Sequence, residues 1–354
     1  MIDAQDWLRR YTPKPVKVIA ASPQVRFARF SPCGAVLVAG GYDARVRRWS
    51  LASDHMPELP ALAGHHAWVE ACAMKWEGSR LYTGDSWGQL CCWENYAAEQ
   101  PAVVWRHEQA HDGWLRDLSL SGDGKLLASC GSDRKIRIWS ADDGQLRHEI
   151  PEEHDVLRVR FLPDGSIVAG DSFGRVHQRQ VDGTLIRAFD ASSLYMLHRL
   201  QDVGGIQALC VSADGKLLAA GGVAPKGGGT VTGVPTVLVF DVATGELKQR
   251  LELGTPNDCF VADLHWHAEG VLSVVTYGTP GQGQFLYVDP EAKAPLLTLK
   301  EVQNIHSLSW HPDGKRFIVA GTNSGSNGNG RPLDKEGRYV TNSSPLHVFS
   351  VPQD

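Results

Sequence analysis

One unit of roughly forty residues recurs along the whole chain, and this period limits the fold more tightly than any other feature of the sequence. It is clearest from Ala110 to Pro151, which reads AHDGWLRDLSLSGDGKLLASCGSDRKIRIWSADDGQLRHEIP. Leu115, Leu118 and Leu120 mark a first strand, and Gly122-Asp123-Gly124 a turn. Leu126 to Ser129 is an apolar run, Gly131-Ser132-Asp133 a second turn, and Ile136, Ile138 and Trp139 carry a third strand. Asp142-Asp143-Gly144 turns once more into Gln145 to Ile150. Short strands joined by Gly- and Asp-bearing turns read as one small antiparallel sheet.

The glycine of the first turn recurs as Gly34, Gly78, Gly124, Gly165, Gly215, Gly270 and Gly314. The third strand recurs as VRRWS, LCCWE, IRIWS, VHQRQ, VLVFD, FLYVD and LHVFS. Its key position is held by Trp49, Trp93, Trp139, Arg179, Phe240, Val288 and Phe349, at successive gaps of 44, 46, 40, 61, 48 and 61 residues. The two long gaps require insertions. Gly-, Ser- and Asn-rich segments supply candidates at Gly221–Pro235 and Thr322–Ser344, both read as loops. YGTPGQGQ and the connection Ala191–Gly205 are read the same way.

The unit resembles a WD-repeat propeller blade, with a histidine near its start and a Trp in its third strand. The resemblance implies an all-β chain: a seven-bladed β-propeller of four-stranded antiparallel blades, similar to stand-alone propellers of bacterial type. The blades fall at about 24–62, 65–107, 111–151, 154–190, 205–253, 259–300 and 304–351. The last blade ends on PLHVFSV and lacks a fourth strand, which PVKVIA (residues 15–20) can supply, closing the ring. Residues 1–14 form an arm that Trp7 and Tyr11 can pin by helix spacing, and 15–354 a single propeller domain.

The balance of 40 acidic against 35 basic residues gives a net charge of −5 without a basic patch, so no nucleic-acid partner is expected. No apolar run reaches membrane-span length. The seven cysteines are an odd number and sit singly, apart from Cys91-Cys92, so they read as reduced core thiols of a cytoplasmic protein.

The resemblance makes His111, Ser129, Asp133 and Trp139 a buried hydrogen-bonded network. By composition it could pass for a catalytic Ser-His-Asp set, yet the Ser lies within a strand and no G-x-S-x-G elbow exists. The resemblance implies a structural role. Blade 2 offers a partial set, His65, Thr83 and Trp93, and blade 4 keeps His154 but has Ala169 and Arg179. His265, His267, His306 and His311 occupy unlike repeat positions, so no shared metal site is expected. The Gly227–Thr230 run lacks the Lys and following helix of a phosphate loop, and no cofactor is expected.

Eight residues before the turn glycines stand Arg26, Glu70, Arg116, Leu157, Gln207, Ala262 and His306. The resemblance places this column on the top rim near the central channel, where partner peptides are contacted. Arg26, Arg116 and His306 would read an acidic group, and Tyr42 and Trp87 offer stacking area. The expected function is a non-enzymatic, monomeric scaffold that binds a protein or peptide on this face, through Arg26, Tyr42, Glu70, Trp87, Arg116, Gln207 and His306. The alternative is a propeller enzyme or small-ligand sensor that uses the channel mouth and the Gly-rich loops of blades 5–7.

Overall fold

Blade 3 shows how the pattern becomes structure. In the computed structural model, which describes residues 2–198, 200–226, 232–278, 281–292, 294–322, 335–336 and 342–352, this blade is built from Leu115–Leu120, Leu126–Gly131, Lys135–Ser140 and Leu146–Pro151, paired in that order. Gly124 adopts a φ of 69°, the left-handed conformation its tight turn requires. Leu115 and Leu118 are three residues apart, which breaks strict alternation. A register shift between Leu115 and Asp117 corrects this, and both leucines are buried.

Both faces of the two middle strands are buried, because each blade stacks on two neighbours. Leu127 and Trp139 pack with Tyr82, Leu90 and Cys92 of blade 2. Ala128, Cys130, Ile136 and Ile138 pack with Val156, Val159 and Ile167 of blade 4. A strand covered on both sides reads as a continuous apolar run, as Leu126 to Cys130 does.

Among the described residues the chain forms seven such four-stranded antiparallel sheets and one two-stranded hairpin. The innermost strands are Val25–Phe30, Val69–Met74, Leu115–Leu120, Val156–Phe161, Ala208–Val211, Phe260–Trp266 and Ser307–Trp310. The fold is a seven-bladed β-propeller. Its ring closes where Lys14–Ala21 pairs antiparallel with Ser344–Ser350 as the outer strand of blade 7.

Ahead of that strand the arm holds a helix, Ala4–Tyr11, in keeping with the helix spacing of Trp7 and Tyr11. The Asp3 carboxylate caps it by accepting from the Gln5 and Asp6 amides. Trp7 and Tyr11, one turn apart, stack at 3.9 Å and bury themselves against His267 and Tyr287 of blade 6. The Tyr11 hydroxyl donates to Glu269 at 3.0 Å.

The described parts of two expected loops form regular structure. Gly221–Pro235 lies largely within a long hairpin, Leu217–Lys226 against Thr232–Asp241, with pairing that continues out to Lys226 and Thr232. The small β-branched and apolar residues among its glycines sustain the ladder. Ala191–Gly205 holds a helical turn, Ser192–Leu194, and a hairpin, Tyr195–His198 with Gln201–Gly204. Most of the expected loop Thr322–Ser344, and Thr279 and Pro280 of YGTPGQGQ, lie outside the described residues. No described helix is long and apolar enough to cross a membrane.

Candidate interaction site at the central channel

Five of the seven innermost strands share one irregularity, and it helps build the site. Register shifts fall between Val25 and Phe27, Val69 and Ala71, Leu115 and Asp117, Val156 and Arg158, and Val261 and Asp263. A bulge re-aims side chains near a strand end. Here the residues at and beside it line a cavity of about 770 Å³ at the hub of the ring. Six of the seven residues expected to contact a partner line it: Arg26, Tyr42, Glu70, Arg116, Gln207 and His306. Trp87 does not; it stands in the neighbouring turn of blade 2, 68% exposed.

Five guanidinium groups and three carboxylates line the cavity. Arg26 Nε meets Glu70 at 3.0 Å, and that Glu70 side chain is only 3% exposed. The Arg26 guanidinium is held above its ordinary range, because the charge of Glu70 and contact with Tyr42 outweigh the effect of burial. Deeper in, Arg29 pairs with Asp263 at 2.7 Å and donates to the Leu308 carbonyl at 2.9 Å, while Arg160 pairs with Asp117. The two aspartates also tie blades together, Asp117 accepting from Val159 N at 3.1 Å and Asp263 from Leu308 N at 2.9 Å. Ser307 and Ser309 do the same for Ala28 N and Phe30 N, both at 3.0 Å. The channel floor is thus closed by paired charge and hydrogen bonds.

The mouth differs. Arg116 lies over the Trp114 ring at 4.3 Å, and its buried Nε has no hydrogen-bond partner among the described residues. Arg158 donates to the Leu157 carbonyl at 2.7 Å. Neither of these arginines has a carboxylate among the ion pairs of the described residues. Burial lowers the Arg116 guanidinium from its ordinary range; the charges of Glu70 and Asp155 oppose this, and the like charges of Arg158 and Arg26 add to it. His306 is held down to about 4, chiefly by burial, so it is neutral at pH 7. Its ring nitrogens face the Val25 carbonyl at 2.8 Å and the Asn304 carbonyl at 3.2 Å, and a neutral ring can donate to only one of them. It is a structural donor, not a cation for an acidic group. Gln207 Nε2 donates to the Gly204 carbonyl at 3.1 Å.

An aromatic row that the sequence reading passed over runs beside the mouth. Tyr42 meets Trp68 at 4.8 Å, and Trp68 meets Trp114 at 5.8 Å, ending on Arg116. Trp68 is 42% exposed. The Ser132 hydroxyl accepts from Trp114 N at 2.9 Å and so fixes the row at blade 3. A signal was present in the sequence: Trp68 and Trp114 each stand two residues before the column members Glu70 and Arg116.

The structure brings His111, Ser129, Asp133 and Trp139 together. His111 Nδ1 lies 2.8 Å from Asp133 and Nε2 2.7 Å from Ser129 Oγ, which also accepts from Trp139 Nε1 at 2.8 Å. Burial opposes ionisation of Asp133, but hydrogen bonds from His111 and Arg137 outweigh it and hold the carboxyl far below its usual range. Blade 2 has the same arrangement in full. Asp85 supplies the carboxylate, 3.1 Å from His65, which lies 2.7 Å from Thr83, and Trp93 donates to Thr83 at 2.9 Å. Asp85 ends a strand two residues before the position that Asp133 occupies in blade 3, so repeat alignment alone did not find it. In blade 4 His154 stacks on Phe173 at 3.8 Å instead. His267 bonds Ser273 and His311 faces the Gly34 carbonyl, and no three His, Cys, Asp or Glu side chains converge on a metal position among the described residues.

These features define a seven-bladed β-propeller around a charged hub. Two segments, 13–50 and 104–140, match the family described as WD domain, G-beta repeat. They cover the closing strand with most of blade 1, and most of blade 3. The chain is similar to telomerase protein component 1 of Rattus norvegicus, 28% identical over 53% of this chain and 7% of that protein. It is similar to echinoderm microtubule-associated protein-like 2 of Homo sapiens, 27% identical over 45% of this chain and 24% of that protein. A periodic tryptophan protein 2 homolog of Dictyostelium discoideum is 26% identical over 66% of this chain and 23% of its own length. The chain thus matches under a quarter of each of these relatives. All three are eukaryotic and lend no support to a bacterial type or to a stand-alone chain.

Proposed function

We propose that this propeller is a non-enzymatic interaction platform that docks a protein or peptide partner on its top face, over the mouth of the central channel. The carrying observation is the row Tyr42–Trp68–Trp114–Arg116 beside the exposed Trp87. Aromatic side chains and arginine dominate the energetically decisive part of protein interfaces, because they bury large area at small entropic cost. The relatives' names fit this reading: one is a telomerase component and another is microtubule-associated. The cavity's chemistry favours binding over catalysis. Its three carboxylates are already engaged by guanidinium groups, and burial pushes the Cys72 thiol up to about 12. A monomer acting in the cytoplasm, with its seven cysteines free, completes the proposal.

Photo-cross-linking tests it. A cross-linker at Tyr42 or Trp87 should capture a discrete partner protein from lysate, and Trp68→Ala should reduce that capture. A cross-linker at Trp76, which is 71% exposed on the opposite face, should not capture it. Capture from Trp76 alone would move the site to the short-turn face and defeat the reading.

A further inference from the structure

The channel carries more positive charge than it neutralises. Its floor is balanced, since Arg29 faces Asp263 and Arg160 faces Asp117. At the mouth the ion pair among the described residues is Arg26 with Glu70. Arg116 and Arg158 line the same cavity on adjacent blades and form no ion pair among the described residues, although the charges of Glu70 and Asp155 act on Arg116 from beyond contact. Three guanidinium groups thus share one lining carboxylate in a partly enclosed space, and the field lowers as soon as an anion enters. The buried Arg116 Nε has no hydrogen-bond partner among the described residues.

From this geometry we infer that the channel mouth is a binding site for a phosphate dianion, held by the guanidinium groups of Arg116 and Arg158 with Arg26 at its edge. This rests on the top face being the docking surface. Charge selects the class: the lining holds five guanidinium groups against three carboxylates, an excess that matches a group of about two negative charges, which a phosphate monoester carries near neutral pH and a single carboxylate does not. Planar guanidinium forks bind such oxygens in pairs, which lysine cannot do. The source is a phosphorylated side chain of the docked partner. The flanking aromatic row at Trp114 and Trp68 offers apolar faces to the residues beside that side chain, as a free ion would not need.

The test has two arms on the full chain. In the first, inorganic phosphate at about 10 mM and constant ionic strength should raise the melting temperature of the wild type by a few degrees, as any ligand of the folded state does. Arg116→Gln with Arg158→Gln should abolish that rise, and Arg116→Lys with Arg158→Lys should restore only part of it. Far-UV circular dichroism without phosphate checks that the variants fold. In the second arm, a degenerate peptide pool with a fixed phosphoserine should bind at least about tenfold more tightly than the same pool with serine, a difference the double Gln variant should erase. No phosphate-dependent rise, or an equal rise in the double Gln variant, would overturn the site. A rise without discrimination between the pools would overturn the partner-borne source and leave a free-ion site. Failure of either arm leaves the cross-linking result at Tyr42 and Trp87 intact, so the two readings fail separately.

Discussion

Blades 2 and 3 and blades 6 and 7 solve the same packing problem with opposite chemistry. In blades 2 and 3 the third-strand Trp is tied by its indole N–H to a Thr or Ser, and through a His to an Asp in the turn above. In blades 6 and 7 the positions of Ser129 and Trp139 are taken by Val274 with Val288, and Val319 with Phe349, all buried. There Phe285, Phe317 and Phe349 stack at 4.7 and 5.0 Å, binding the two blades by apolar contact. A buried polar chain must be complete, or each orphaned group is a penalty; an apolar stack has no such condition. The blade geometry therefore needs volume at the third strand, not the His–Ser–Trp set.

Changes at the two kinds of blade should therefore fail differently. The largest effect belongs to closure. Deleting residues 2–21 removes the outer strand of blade 7 and the Trp7 anchor, and should drive the protein into aggregates on size-exclusion chromatography. A truncation that stays monomeric with an unchanged melting temperature would show that blade 7 does not depend on that strand. Next, Phe317→Ala should cost about 3–5 kcal/mol by urea unfolding, the range for an aromatic removed from a packed core. In blade 3, Asp133→Ala should cost about 1–3 kcal/mol by leaving His111 and Arg137 without their acceptor. An Asp133 loss equal to the Phe317 loss would erase the distinction between the two solutions.

Acid should act on both kinds of blade. Burial holds His265 and His306, in blades 6 and 7, down to about 4, and lowers His111 in blade 3 in the same direction. The unfolded chain binds these protons first, so stability is complete above about pH 6.5 and falls as the pH drops toward about 4. Asp133, depressed in the fold, adds its own loss below about pH 4 as the unfolded carboxylate protonates. Urea midpoints across this range should show the slope, and His265→Gln with His306→Gln should make it shallower. The smallest effect is at Trp87, whose exposure predicts that Trp87→Ser changes stability by less than about 0.5 kcal/mol while weakening partner capture.

Repeat period, turn glycines and strand patterns were enough to determine the architecture of seven antiparallel blades and the strand that closes the ring. These are local signals: alternation, turn chemistry and a missing fourth strand are written in consecutive residues. The column eight residues before each turn glycine likewise brought Arg26, Glu70, Arg116, Gln207 and His306 to one cavity. The character of that cavity was not local. His306 looked like a cation until burial and two carbonyls made it a neutral donor. Arg158 stands outside the column, yet it lines the channel beside the bulge after Val156. Arg29 reaches Asp263 two blades away, a pairing that no spacing along the chain announces. A sequence names the charges; only the closed ring decides which of them meet in close pairs and which two, Arg116 and Arg158, line the cavity without an ion pair among the described residues.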